Sequence, residues 1–164
     1  MLAEIEVHLH VLNTLQEKII NIIDGVPADG LNWRPIITDR EMVTNSIAAL
    51  VTHVAEAERN WIAEVVGGIE TDQDRPDVFA TVVENADELS MNLKVVGEET
   101  RKILGDLTNE DLVRSVETYL GTKTVRWAIL HLIEHNALHI GEMQITYQLW
   151  KAGFETLKSK EKFR

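Results

Sequence analysis

VRWAILHLIEHNALHIGEMQITYQLWKAG, residues 125–153, is the stretch that decides the fold. Set at about 100° per residue from Val125, it sorts into faces. Arg126, Glu134, Gln144, Gln148 and Lys151 gather between roughly 80° and 180°, a solvent face. Ile129, Leu132, Ile140 and Met143 make one apolar stripe, and Trp127, Leu138 and Ile145 make a second. His135 and His139 fall beside them, at about 280° and 320°. The spacing predicts a long amphipathic helix, capped by Thr122 and running to Gly153, with these two histidines pointing into a helical bundle.

Working outward, the same periodicity recurs over most of the chain. Ile5, Leu9, Leu12, Ile19 and Ile23 mark a first helix that ends near Gly25 and Pro27. Leu31 to Pro35 reads as an ordered loop, because a residue before proline avoids the helical region. A second helix starts at Thr44 or Asn45, both good N-caps, and stops at Gly67-Gly68. A charged loop with Asp72, Asp74, Arg75 and Pro76 precedes a third helix over residues 84–104. Thr108-Asn109-Glu110-Asp111 opens a short capped turn, and 113–120 is the one weakly extended stretch. From Lys158 the chain reads as a frayed Lys-rich tail. Four long helices without strand pairing predict an all-α four-helix bundle, with a long loop after the first helix and a short extra helical turn before the last.

Composition limits the function. The chain has 164 residues, 45% hydrophobic and 26% charged, suited to one domain over residues 1–164. With 16 basic against 27 acidic residues the net charge is −11, and no basic run offsets it, so phosphate backbones are repelled and nucleic acid is disfavoured as a partner. No apolar stretch is long enough to span a bilayer. The start, with Glu4 and Glu6, lacks the basic region of a signal peptide, and a cytoplasmic location is expected. The absence of cysteine excludes disulfides, thiolate ligands and a cysteine nucleophile; any thiol chemistry needs a thiol from outside.

His131, His135 and His139 form a ladder at four-residue spacing. Residues i and i+4 lie on one helix face with Cβ atoms about 6 Å apart, close enough for two imidazoles to meet on one ion. Buried imidazole nitrogens need partners, and a shared metal would satisfy several at once. A third ligand has to come from another helix: His53 leads, His8 competes, and His10 points outward. Glu142 falls near 260°, inward, two turns beyond His135, where it could serve as a fourth ligand, a partner of a histidine or a general base. Gly141, unfavourable in mid-helix by about 1 kcal/mol, suggests a close helix–helix approach. Trp33, Trp61, Trp127 and Trp150 read as core or interface anchors. The Glu-x-x-His pairs of a di-iron bundle are absent, as are His-Glu-x-x-His and a phosphate-binding glycine loop.

On the loop from Leu31 to Pro35, Ser46-Ile47 followed by His53, and Thr124 to Trp127 leading into His131, His135 and His139-Ile140-Gly141-Glu142, the chain resembles the DinB-like superfamily of four-helix-bundle metalloproteins. The resemblance covers nearly the whole chain. It implies a His53, His135 and His139 triad around zinc, nickel or iron, often in a homodimer, with thiol-dependent transfer as one of the family's activities. One departure is His139-Ile140-Gly141-Glu142, where the family often has His-Arg-Gly-Gln. Three imidazoles with open positions describe a catalytic site, since structural zinc is closed by four protein ligands. Such an ion activates either water, lowering its pKa to about 7, or a small-molecule thiol. A metal-dependent transferase or hydrolase acting on a small molecule is therefore expected, with a non-catalytic metal- or ligand-binding bundle or dimerisation module as the alternative.

Overall fold

Apolar residues every three to four positions build the helices, and small polar residues, Ser46, Thr108 and Thr124, cap the starts of three of them. In the computed structural model, residues 1–36, 44–70 and 77–161 are described, the side chains only as far as 153; the charged loop with Asp72, Asp74, Arg75 and Pro76 lies outside them, as do the side chains of the Lys-rich tail. The elements are α1 (Ala3–Ile23), α2 (Ala28–Leu31), α3 (Ile47–Glu58), α4 (Asp87–Gly105), α5 (Asn109–Val113), β1 (Ser115–Val116), β2 (Lys123–Thr124) and α6 (Val125–Glu161). α3 continues as a π-helix, Arg59–Val66, and a 3₁₀ turn spans Val78–Ala80. α1 and α3 each pack against both α4 and α6, which makes the four-helix bundle that the periodicity predicts.

Several ends differ from expectation. α3 is capped by Ser46, whose hydroxyl accepts from the Ala49 N–H; Thr44 and Asn45 instead receive the Arg34 guanidinium. Leu31 closes a short helical turn, α2, and is fully buried. Thr122 bonds to Glu117 across the turn at Gly121. The cap of α6 is Thr124, whose hydroxyl accepts from the Trp127 N–H at 3.2 Å. The shift follows from a short antiparallel pair that the sequence did not announce: Ser115 opposite Thr124 and Val116 opposite Lys123. Pairing holds Thr124 extended at the point where α6 begins. At its other end α6 passes Gly153, because one glycine weakens a helix without stopping it. The capping box at Thr108 and Asp111 forms as predicted.

The largest correction concerns α6. Its first stripe, with Ile129, Leu132, Ile140 and Met143, is buried, whereas Leu138 and Ile145 are 64% and 59% exposed. The buried face centres near Val125, Asn136 and Met143, so His135 and His139 stand on the edge between core and solvent. A methyl group added at Gly141 would meet no atom within 4 Å, and among the described residues no close approach explains this glycine.

The core divides into two apolar clusters. One contains Ile19, Ile23, Val51, Val54, Val96, Ile140 and Met143. The other contains Ile5, Leu12, Trp61, Ile62, Leu104, Ile129 and Leu132. On α3, α4 and α6 the buried residues lying in sequence between them are polar: Glu58, Thr100 and Asn136.

Candidate metal centre

α3 presents His53 one turn beyond Leu50, and α6 presents His135 and His139 one turn apart. Across the helix–helix contact the Nε2 atoms of His53 and His135 lie 3.1 Å apart. Ring centroids are 4.8 Å apart for His53 and His139 and 4.4 Å for His135 and His139. One ring nitrogen from each of the three lies within 4.8 Å of the others. An ion held tetrahedrally at about 2.0–2.1 Å sets its imidazole nitrogens roughly 3.3 Å apart; His53 and His135 already stand near that spacing, and the group of three could close on a divalent metal. All three rings are half-buried.

The opposite edges of two rings are tethered. His139 Nδ1 meets Glu142 Oε2 at 2.6 Å, and His135 Nδ1 meets Asn136 Oδ1 at 3.3 Å. Nδ1 engaged in this way leaves Nε2 to face an ion, the arrangement by which partners of metal-bound histidines fix tautomer and ring angle. Burial, with His135 and His139 adding to it, lowers the pKa of His53 to about 4; burial lowers that of His135 as well. Both are therefore held neutral, as metal ligation requires.

The remaining histidines separate from the triad. His131 stacks on Trp127 at 4.8 Å with a 9° interplanar angle and meets Trp61 edge-on; its buried Nε2 has no hydrogen-bond partner among the described residues. His8 is buried near the Arg126–Glu4 ion pair and does not compete for the centre. His10 is exposed, as expected. Glu142 is outside the group of converging donors and acts on the His139 ring. Of the tryptophans, Trp61 is fully in the core and the other three are half-buried.

Sequence reasoning missed Phe79, whose ring lies 5.0 Å from that of His53 and whose carbonyl accepts from Arg34. It also missed Asn136 and Glu58. For Asn136 a signal existed: a polar residue near 20° on the wheel, in the middle of the apolar face. Beside Glu142 a cleft of about 330 Å³ opens. Leu50, Ile145 and Leu149 give it apolar walls, and Thr44, Asn45 and Thr146 give it a polar rim. Among the described residues, no helix is long and apolar enough to cross a membrane.

Fold and site together define a DinB-like helical bundle with a histidine group able to hold a metal ion. The profile of the mycothiol S-transferases matches residues 9–150, and the chain belongs to that family. Solved structures with the same fold include a conserved protein from Enterococcus faecalis, 14% identical with a TM-score of 0.77 over 91% of this chain and 98% of that one. A DinB-like protein from Bacillus cereus is 17% identical, with a TM-score of 0.68 over 90% and 92% of the two chains. Another from Bacillus subtilis is 17% identical, with a TM-score of 0.64 over 89% and 92%. No match was found among curated proteins.

Proposed function

We propose that this protein is a metal-dependent transferase that joins a low-molecular-weight thiol, of the mycothiol type named for its family, to a small electrophile. The observation that carries the reading is the convergence of His53, His135 and His139. These three residues would hold zinc, nickel or iron(II). When bound, such an ion supplies Lewis acidity that eases loss of the proton from a thiol in an open coordination position.

The chain's own residues do the rest. Glu142 holds His139 by one oxygen and also lines the cleft, where its carboxylate is placed to accept the thiol proton. Leu50, Ile145 and Leu149 take up an apolar substrate body and exclude water from one side of it. Thr44, Asn45 and Thr146 offer hydrogen bonds to its polar groups. Sulfur then bonds to the electrophilic carbon, and the leaving group departs with its electron pair. The thiol must come from outside, since the chain has no cysteine, a composition that also suits a reducing cytoplasm. The chain works as one domain, residues 1–164, and as a homodimer whose contact includes the exposed Leu138, with Gly141 allowing a second helix to approach.

Metal analysis by mass spectrometry on untagged protein tests the reading, beside a His135→Ala, His139→Ala double variant. Near one ion per chain in the wild type, lost in the variant, together with metal-dependent consumption of thiol in the presence of an aryl halide, supports it. Wild-type protein that takes up no zinc, nickel or iron overturns it. Metal uptake without thiol consumption, but with hydrolysis of an ester or amide, replaces transfer by hydrolysis.

A further inference from the structure

Glu58 is 5% exposed, in the middle of a bundle whose neighbouring layers are aliphatic and aromatic. A buried carboxyl without a charged partner is a costly feature, and it has a defined set of contacts. Its carboxyl receives hydrogen bonds from the Thr100 hydroxyl on α4 and the Asn136 amide on α6. Asn136, itself 3% exposed, turns its Oδ1 the other way, to His135 Nδ1 at 3.3 Å. A continuous polar path thus crosses the core from α4 through α3 to α6 and ends on the histidine triad.

The direction of each bond along that path is constrained. An asparagine side chain has one end that donates and one that accepts. With its NH₂ group committed to the Glu58 carboxyl, Asn136 can only accept from His135. His135 must then carry its proton on Nδ1, which leaves Nε2 with a free lone pair. That Nε2 is the atom 3.1 Å from Nε2 of His53. A residue two contacts away thereby sets which nitrogen of His135 is available to a ligand.

We propose that Glu58 is a positioning residue for the centre: by fixing the amide of Asn136, it holds His135 in the Nδ1–H tautomer with Nε2 turned toward His53 and His139. This rests on the metal-centre reading above for its consequence, though not for its geometry. Thr100 anchors the far side of the Glu58 carboxyl. The layer occupies the level where the two apolar clusters meet, so the ring is braced from the rigid interior instead of from the surface. His139 is braced differently, by the half-exposed Glu142.

The test compares wild type, Glu58→Gln, Glu58→Met, and the Glu58→Met, Asn136→Leu double variant. The double variant removes both polar partners and leaves neither buried alone, which keeps the fold accessible if Glu58→Met does not fold. In metal-free protein, ¹⁵N NMR of the imidazole rings reads the His135 tautomer. Wild type and Glu58→Gln should show Nδ1–H. In Glu58→Met the Asn136 amide is released and can turn its NH₂ toward the ring, and in the double variant the acceptor is gone; both should shift His135 toward Nε2–H. Zinc titrated against a competing chelator should then bind about 10- to 100-fold more weakly to those two proteins and near the wild-type value to Glu58→Gln. Folded variants that keep the Nδ1–H tautomer and the wild-type zinc affinity overturn the proposal and leave a merely structural polar layer. If wild-type protein takes up no zinc, the metal-centre reading fails, while the tautomer comparison still decides what Glu58 does.

Discussion

His53 and His135, 82 residues apart in the chain, bring their Nε2 atoms to 3.1 Å at the contact of α3 and α6. Two neutral rings satisfy that approach by one donating and the other accepting. Two imidazolium rings at this distance would repel. The pair is consequently a local sensor of protonation, and its neutral form belongs to the folded state.

In metal-free protein the His53 ring should titrate near pH 4, because burial and the two neighbouring histidines oppose its charge. The sign follows: the unfolded ring, near 6.5, binds more protons, so the stability due to neutral His53 is complete above about pH 6.5 and is lost as pH falls toward 4. Histidine ring NMR across pH 3.5–8 reads this directly. A midpoint near 6.5 would show that the ring is not held as described.

Glu142 grips His139 Nδ1 at 2.6 Å from a half-exposed position. Its replacement by alanine should therefore spare the fold and loosen the ligand. The expected result is an unchanged melting curve with zinc affinity reduced about 10- to 100-fold. Affinity equal to that of the wild type would remove Glu142 from the centre.

Burial raises the pKa of Glu58, with the bonds from Thr100 and Asn136 opposing the shift. The folded chain then holds this proton more tightly than the unfolded one, so the stability it contributes is full below the ordinary value of 4.5 and declines as pH rises through the raised value. Glu58→Gln removes that dependence. Urea unfolding of both proteins from pH 4 to 8 should show the variant gaining on the wild type as pH increases; parallel curves would contradict the buried acid.

Gly30 sits under the Trp150 ring, where an added methyl would lie 2.8 Å from two ring carbons and 2.9 Å from Val26. Gly30→Ala should cost about 1–3 kcal/mol by overpacking. Pairing it with Trp150→Leu, which opens room, should recover part of the loss in thermal melts. An unaffected single variant would show that Trp150 can move aside freely.

Much of this was legible in the residues. The period of apolar positions gave the four helices; of the histidine ladder two rungs, His135 and His139, converge with His53, the leading third candidate, while the rung at His131 does not. What the wheel could not decide was which of two apolar flanks of α6 meets a neighbour, since Leu138 and Ile140 look alike until α1 and α3 are in place. Nor could it choose between Thr122 and Thr124 as a cap; a two-residue strand pairing, set by contacts 9 positions apart at Ser115 and Thr124, made that choice. Asn136 was visible as a misplaced polar residue. Its meaning depended on Glu58, which only the bundle brings near it.

The π-helix of Arg59–Val66 divides one continuous rod into two phases. Each i→i+5 bond closes round one more residue than an α-helical bond does, so the wide turn absorbs an extra residue that a regular helix would pass on as a rotation of about 100°. His53 and Glu58 lie before this offset; Trp61, which faces His131 and Trp127, lies within it. The wide turn thus lets the ligand-bearing half and the aromatic half of the helix each settle on their own partners. Deleting a single residue between 59 and 66 would tighten that turn to α geometry and leave both halves facing as they do.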